Sequence, residues 1–338
     1  MTSAQDPSRM LDLITGLPRM VAEAWALRAD PPVPSMRPTA VVTLGLGGSG
    51  IGGDLLRSVL ADEAPFPVVG AKDYRVPAFL GKNTLALACS YSGATEETLT
   101  AYEDASSAGA SCVVITSGGE LLERARRRGH PAVVVPKGLP PRAALAYLFI
   151  PMLAVLHSAG ALRSFESEVR EAERLEAGRH GSVAEALAGR LIGKIPVIYS
   201  ATPFLEPVAQ RWKDQFNENA KTFAVWNTFP ELNHNETVGW GLDASLARTI
   251  HVIVLHDRAQ PARLSQRVAI TKEIAFHRAG GLDEFTSEGE HKLTRLLSLI
   301  LLGDLVSWNL AIKRSIDPTP VAVIDQLKSR LAAQRAPG

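Results

Sequence analysis

Five short runs of branched or small apolar residues, at 40–44, 67–70, 85–89, 112–115 and 132–135, alternate with polar or amphipathic segments long enough to be helices. Parallel strands need a crossover between them, so this alternation predicts five βα units wound into a parallel sheet. Four more runs, at 195–200, 223–226, 250–255 and 284–286, predict a second sheet, with helices over 201–221, 261–279, 290–316 and 320–333. The 338 residues, 46% of them hydrophobic, are enough for two cores. The sequence thus predicts an α/β protein of two doubly wound parallel-sheet domains, at 1–160 and 161–338. An amphipathic helix leads the first, the Glu/Arg/Ala-rich stretch 163–190 forms a linker helix, and a final helix ends the chain.

The stretch 85–100, LALACSYSGATEETLT, turns from a buried strand into a hydroxyl-rich turn and a helix N-terminus. Free N–H groups there carry the positive end of the helix dipole, and the hydroxyls of Ser90, Ser92, Thr95 and Thr98 add donors around one anion. A helix N-cap alone accounts for one or two of them. The first strand runs into GLGGSGIGGD at 45–54, where backbone without β-carbons can approach an anion or a sugar. This spacing also fits a dinucleotide loop, with Asp73 placed as a ribose ligand. The second anion-binding turn, which a nicotinamide domain would not need, favours a sugar phosphate. Both loops follow strand carboxyl ends, where wound sheets hold ligands, so one cleft can contain both.

Charge excludes several classes of partner. Thirty-six basic against 35 acidic residues leave a net charge of +1, with no broad footprint for nucleic acid or an anionic membrane. The basic run 124–128 closes a predicted helix before Gly129, where positive charge suits the dipole. Cys89 and Cys112 both lie in strand runs, so neither a disulfide framework nor a metal spacing is expected, and a reducing cytoplasm suits the chain. No HxxxH or Cys/His pattern calls for a metal, and no cofactor is expected. The first 30 residues carry Asp6, Asp12, Glu23 and Asp30 and do not read as a signal-peptide core, while the apolar run 296–303 is too short to cross a bilayer.

Three residues invite chemistry. Arg142, in PRAAL at 141–145, falls in the first turn of a helix, where the dipole disfavours a cation; a ligand contact and a surface ion pair are equal readings. Glu218, in NENAK at 217–221, follows Asp214 by four residues on one helix face, and the like charge would raise its pKa unless Lys213 and Lys221 offset it; an exposed Glu218/Lys221 pair is the plainer alternative. His234 lies between two asparagines in ELNHNE at 231–236. Asparagines can fix a ring tautomer, and imidazole donates protons near neutral pH, although a loop histidine is more often structural.

With those motifs assembled, and DPTPVAVIDQLK at 317–328 added in the same order, the chain resembles the sugar isomerase (SIS) domain proteins, which are flavodoxin-like. It resembles more closely the bifunctional phosphoglucose/phosphomannose isomerase family. The resemblance implies two SIS domains in a homodimer, with active sites assembled between subunits. It implies interconversion of glucose 6-phosphate or mannose 6-phosphate with fructose 6-phosphate through a cis-enediol, without metal or redox cofactor. Glu218 would be the base between C1 and C2, His234 the ring-opening group supplied by the other subunit, and Arg142 the cation that steadies the enediolate. Lys328 would contact the sugar near its ring oxygen, and Gly48, Ser49, Ser90, Ser92 and Thr95 would cradle the phosphate. A non-catalytic SIS-domain sensor of sugar phosphates is the alternative, ranked lower because Glu218 and His234 are both present.

Overall fold

The structure is a computed structural model that describes residues 5–334. Gly16 divides the leading amphipathic segment into α1 (Met10–Thr15) and α2 (Leu17–Ala26). Asp6 starts α1 by accepting the N–H groups of Met10 and Leu11 at 2.8 and 3.0 Å, and it also takes the Trp308 indole N–H at 2.9 Å. One carboxylate therefore caps the first helix and fastens it to a helix far along the chain.

The first sheet is built from β1 (Ala40–Leu44), α3 (Gly47–Leu60), β2 (Val68–Ala71), β3 (Thr84–Cys89), α4 (Glu96–Ser107), β4 (Ser111–Thr116), α5 (Gly119–Arg128) and β5 (Ala132–Val134). Its strand order is β2-β1-β3-β4-β5, parallel throughout. Every residue of β1 and β3 is buried, which explains their predominantly apolar character. One crossover departs from expectation: β2 and β3 are joined by a loop over 72–83, which contains Pro77 and Gly81, both poor helix residues. The arginine-rich run does close α5, and Gly129 takes the left-handed conformation at φ 68°.

A 3₁₀ turn at Pro141–Ala144 leads into α6 (Leu145–Ser158). The predicted linker helix is two helices, α7 (Glu166–Glu173) and α8 (Ala177–Arg190), and the break lets Leu175 pack on the core. The second sheet follows with β6 (Ile195–Ser200), α9 (Glu206–Glu218), β7 (Val225–Thr228), α10 (Glu236–Gly239), α11 (Ala244–Ala247), β8 (Ile250–His256), α12 (Ala262–Ile274) and β9 (Leu282–Thr286). Its order is β7-β6-β8-β9, again all parallel. The chain ends in α13 (Lys292–Lys313) and α14 (Ala322–Ala333).

One hydrophobic cluster holds side chains of both sheets, Val41 and Leu85 from the first and Ile198 and Ile253 from the second, together with α6 and α13. The apolar run 296–303 lies inside α13, which falls within the helix expected over 290–316. Lys292–Lys313 and Pro141–Ser158 are both long and apolar enough to cross a membrane by length and composition, but 83% and 78% of them is buried inside the protein, which makes them core helices here. By contrast, α14 exposes Val323, Ile324, Leu327 and Leu331.

Candidate active site

The two loops at the ends of β1 and β3 are joined by a hydrogen bond. Ser49, in the first turn of α3, accepts the Tyr91 N–H on its Oγ at 3.3 Å. Ser90 is buried; its Oγ lies 2.9 Å from Thr95 Oγ1 and accepts the Gly93 N–H at 3.2 Å. Gly93 adopts φ +65°, and a Cβ there would run into the Gly118 carbonyl, so only glycine lets the turn close this tightly. Thr95 occupies the N-cap position of α4 yet makes no cap hydrogen bond, which leaves first-turn N–H groups for an anion or solvent. Ser92 is exposed and accepts the Ala94 N–H at 3.2 Å, while the Thr98 hydroxyl is buried without a partner among the described residues.

The glycine loop leads directly to Arg142. A Cβ on Gly48 would press on the Pro141 carbonyl oxygen at 3.1 Å and on Arg142 Cα at 3.4 Å. Arg142 is only 4% exposed, which decides against a surface ion pair. Its Nε donates to Asn219 Oδ1 at 2.7 Å, its Nη2 to the carbonyls of Pro318 and Thr319 at 2.7 and 2.8 Å, and its Nη1 lies 3.4 Å from Glu218 Oε2. Burial lowers the Arg142 pKa, and Glu218 opposes that.

Glu218 is the last residue of α9. Burial raises its carboxyl above the usual range; Arg142 works against this and Asp214 adds to it, as the four-residue spacing predicted. The exposed Glu218/Lys221 pair does not form. Lys221 turns at φ +49° and sends its Nζ to the main-chain carbonyls of Glu218 and Pro318, at 2.6 and 3.1 Å, closing the helix C-terminus. Two buried side-chain oxygens beside the pair, Asn217 Oδ1 and Thr319 Oγ1, have no partner among the described residues.

His234 and Lys328 do not join this group by any hydrogen bond among the described residues. His234 is exposed at the end of a 3₁₀ turn, Glu231–His234, and its asparagine neighbours do not hold the ring as expected. Asn233 turns inward to the hydroxyls of Thr237 and Thr271, at 3.3 and 2.9 Å, and Asn235 caps α10 through the Glu236 N–H. Short amides in a tight turn satisfy main-chain and hydroxyl groups first. Lys328 is exposed on α14. Among the described residues no group of three or more His, Cys, Asp or Glu side chains converges to hold a metal ion.

Sequence reasoning missed the buried support around Arg142: Asn219, Arg211, Asp304 and Ser307. A signal was present. Arg211 sits among Val208, Trp212 and Phe216 on α9, and Asp304 interrupts the apolar run of α13; a charge in such surroundings needs a partner.

A glycine-started helix and a hydroxyl loop at adjoining strand ends, next to a buried arginine paired with a half-buried carboxylate, define an α/β protein fitted to a small anionic substrate and to proton transfer. Residues 181–331 match the model of the bacterial phospho-glucose isomerase C-terminal SIS domain. The chain is 39% identical over 335 residues to a bifunctional phosphoglucose/phosphomannose isomerase of Caldicellulosiruptor bescii, covering 96% of this chain and 99% of that one. It is 36% identical over 296 residues to the protein of the same name from Thermoplasma acidophilum, covering 86% and 89%. Among solved structures, the C-terminal domain of glucosamine-fructose-6-phosphate aminotransferase from Francisella tularensis matches with a TM-score of 0.70 at 16% identity, over 92% of this chain and 98% of that one, a likeness of fold. The chain belongs to the bifunctional phosphoglucose/phosphomannose isomerase family.

Proposed function

We propose that the protein interconverts glucose 6-phosphate and mannose 6-phosphate with fructose 6-phosphate, with Glu218 as the base. The observation that carries this is the Arg142–Glu218 contact at 3.4 Å, with the Gly48 loop packed on the same turn. The phosphate is held at Ser49, Ser90, Ser92 and Thr95 with Gly48 behind it, far from the bonds that change, so its binding energy orients the sugar. In the open-chain aldose, the Glu218 carboxylate takes the proton from C2, and the electron pair shifts to place negative charge on the C1 oxygen. The Arg142 guanidinium stabilises that charge. Returning the proton to C1, with the O2 proton passing to O1, gives the ketose. Return to either face of C2 gives the two aldoses. The unpartnered oxygens of Asn217 and Thr319 suit a ligand rich in hydroxyls.

Ring opening falls to His234 and Lys328, with His234 supplied by a second copy in a homodimer. Exposed Val238, Ile270 and Ile274 near the His234 turn, and the apolar stripe of α14 beside Lys328, support such an interface. The domain division at 160/161, a cytoplasmic setting and the absence of a cofactor requirement belong to the same proposal. A sensor would need the phosphate loop but not a half-buried carboxylate raised above its usual range beside a guanidinium.

The test is incubation with fructose 6-phosphate in deuterated water. Glucose 6-phosphate and mannose 6-phosphate carrying deuterium at C2, identified by NMR, are expected. Binding of fructose 6-phosphate without any aldose formed would give the sensor alternative precedence.

A further inference from the structure

Helix α13 crosses the core with a single carboxylate, Asp304, in the middle of its apolar run, 5% exposed. An unpaired carboxylate there would be costly, and its partner comes from the helix that carries Glu218. Arg211 of α9, 3% exposed, donates from Nε and Nη2 to the two Asp304 oxygens at 3.2 and 2.6 Å. The same Nη2 donates at 3.0 Å to the main-chain carbonyl of Arg142. From the other side, Arg142 Nε donates to Asn219 Oδ1, Asn219 Nδ2 donates to Ser307 Oγ at 2.9 Å, and Ser307 Oγ donates back to the Asp304 carbonyl at 2.7 Å. Arg142, Asn219, Ser307, Asp304 and Arg211 thus close a ring of hydrogen bonds out of water. It grips Arg142 at its backbone and at its side chain, and both arms end on one turn of α13.

Stability gives little reason for such a ring, since a buried ion pair is often no better than well-packed apolar side chains. Geometry gives a stronger one. A guanidinium is useful to a developing oxyanion only when its orientation is set before the reaction, and each ring contact removes a freedom that Arg142 would otherwise have. Gly303 completes the device: a Cβ there would enter the Trp212 indole, so glycine lets α13 come close enough to α9 for Asp304 to reach Arg211.

We infer that Asp304 and Arg211, with Asn219 and Ser307 as the second arm, are positioning residues that hold the Arg142 guanidinium against Glu218 and the reacting end of the sugar. This rests on the isomerase role proposed for Arg142. None of the four touches the phosphate loop, so their loss acts on turnover and not on capture of substrate.

Asp304→Asn keeps the shape and removes the charge. The expected result is a fall in kcat of about ten- to a hundredfold, with KM for fructose 6-phosphate kept within about twofold. In an Arg142→Lys background the same substitution should add little further loss, because its effect passes through Arg142; losses that multiply would overturn the inference. Ser307→Ala breaks the other arm with a smaller perturbation, and it decides by the same criteria should Asp304→Asn fail to fold. A readout independent of activity is the Arg142 Nε–H NMR signal, assigned by its absence in Arg142→Lys. It should be protected from solvent exchange in the parent protein and lose that protection in either variant, and unchanged protection would overturn the inference. A parent protein that forms no aldose would instead overturn the isomerase proposal, while the Nε–H signal still decides whether the ring holds Arg142.

Discussion

Arg142 and Glu218, 76 residues apart in sequence, meet at 3.4 Å where the 3₁₀ turn packed on the glycine loop of the first sheet reaches the end of a helix from the second. The proposed base and the cation that would steady its product therefore belong to different halves of the chain, and neither half carries the pair alone.

That contact sets a pH dependence. The groups acting on the Glu218 carboxyl besides burial are Arg142, Arg211 and Lys221, which lower its pKa, and Asp214, which raises it. The net shift is upward from 4.5, so turnover should fall with decreasing pH at a point above the ordinary carboxylate range, because a base works only when ionised. Arg142→Gln should move that fall to higher pH, and Asp214→Asn should move it to lower pH. Plots of kcat against pH for the three proteins check the signs, and a profile that ignores both substitutions would remove Glu218 from the role of base.

Much of this was legible in the sequence and some was not, for physical reasons. The runs at 40–44 and 195–200 are strands to the residue, because central parallel strands are largely buried on both faces and show it as predominantly apolar sequence. The run at 223–226 misled: Phe223 is 71% exposed, the helix before it is closed by Lys221, and the strand starts at Val225. Around the site, the hydroxyl loop and Glu218 announce themselves through residue types at short spacing. The ring behind Arg142 does not, since Arg211 and Asp304 are 93 residues apart and each looks like a lone charge on an apolar helix. For the same reason nothing local told that Asn233 would turn away from His234.

A second pH effect concerns stability. Glu171 on α7 caps the start of α13 from outside, accepting the N–H groups of Glu290 and His291 at 2.8 and 3.0 Å, the His291 ring at 2.8 Å and the Thr294 hydroxyl at 2.7 Å. Burial alone would raise its carboxyl, but these donors together pull it from 4.5 down to about 2. A depressed folded pKa means that the unfolded chain binds the proton more readily. The contribution, of the order of 2 kcal/mol, is therefore complete above the unfolded value and is lost as pH falls through the folded one. Glu171→Gln should lower Tm near neutral pH, and the gap from the parent protein should close between about pH 4.5 and pH 2. A gap that stays constant over that window would show that the cap does not depend on charge.

Packing makes a prediction at Gly303. Alanine there places a methyl group inside the Trp212 indole, whose N–H donates to the Leu299 carbonyl at 2.7 Å. Neither helix can yield without moving Asp304 away from Arg211. Gly303→Ala should destabilise the protein by about 1–3 kcal/mol, and tryptophan emission should shift to longer wavelength as the indole loses its burial. A variant with the parent Tm and spectrum would mean that α13 and α9 are not in close register.

The last prediction concerns the exposed histidine. Within one chain, no hydrogen bond among the described residues links His234 to Arg142 or Glu218, and Val238 stands 83% exposed four residues away. If a second copy covers that surface and inserts its His234, a defect in the base and a defect in the histidine can be repaired by mixing. Glu218→Gln and His234→Ala should each be nearly inactive alone. In a mixed dimer, one site combines the intact Glu218 of one protomer with the intact His234 of the other, and the second site lacks both. Equal amounts, unfolded and refolded together, should recover about a quarter of parental activity, because half of the dimers are mixed and each has one good site of two. No recovery, in preparations that native mass spectrometry shows to contain mixed dimers, would place His234 in its own chain's site and require the 231–236 turn to close over Glu218 instead.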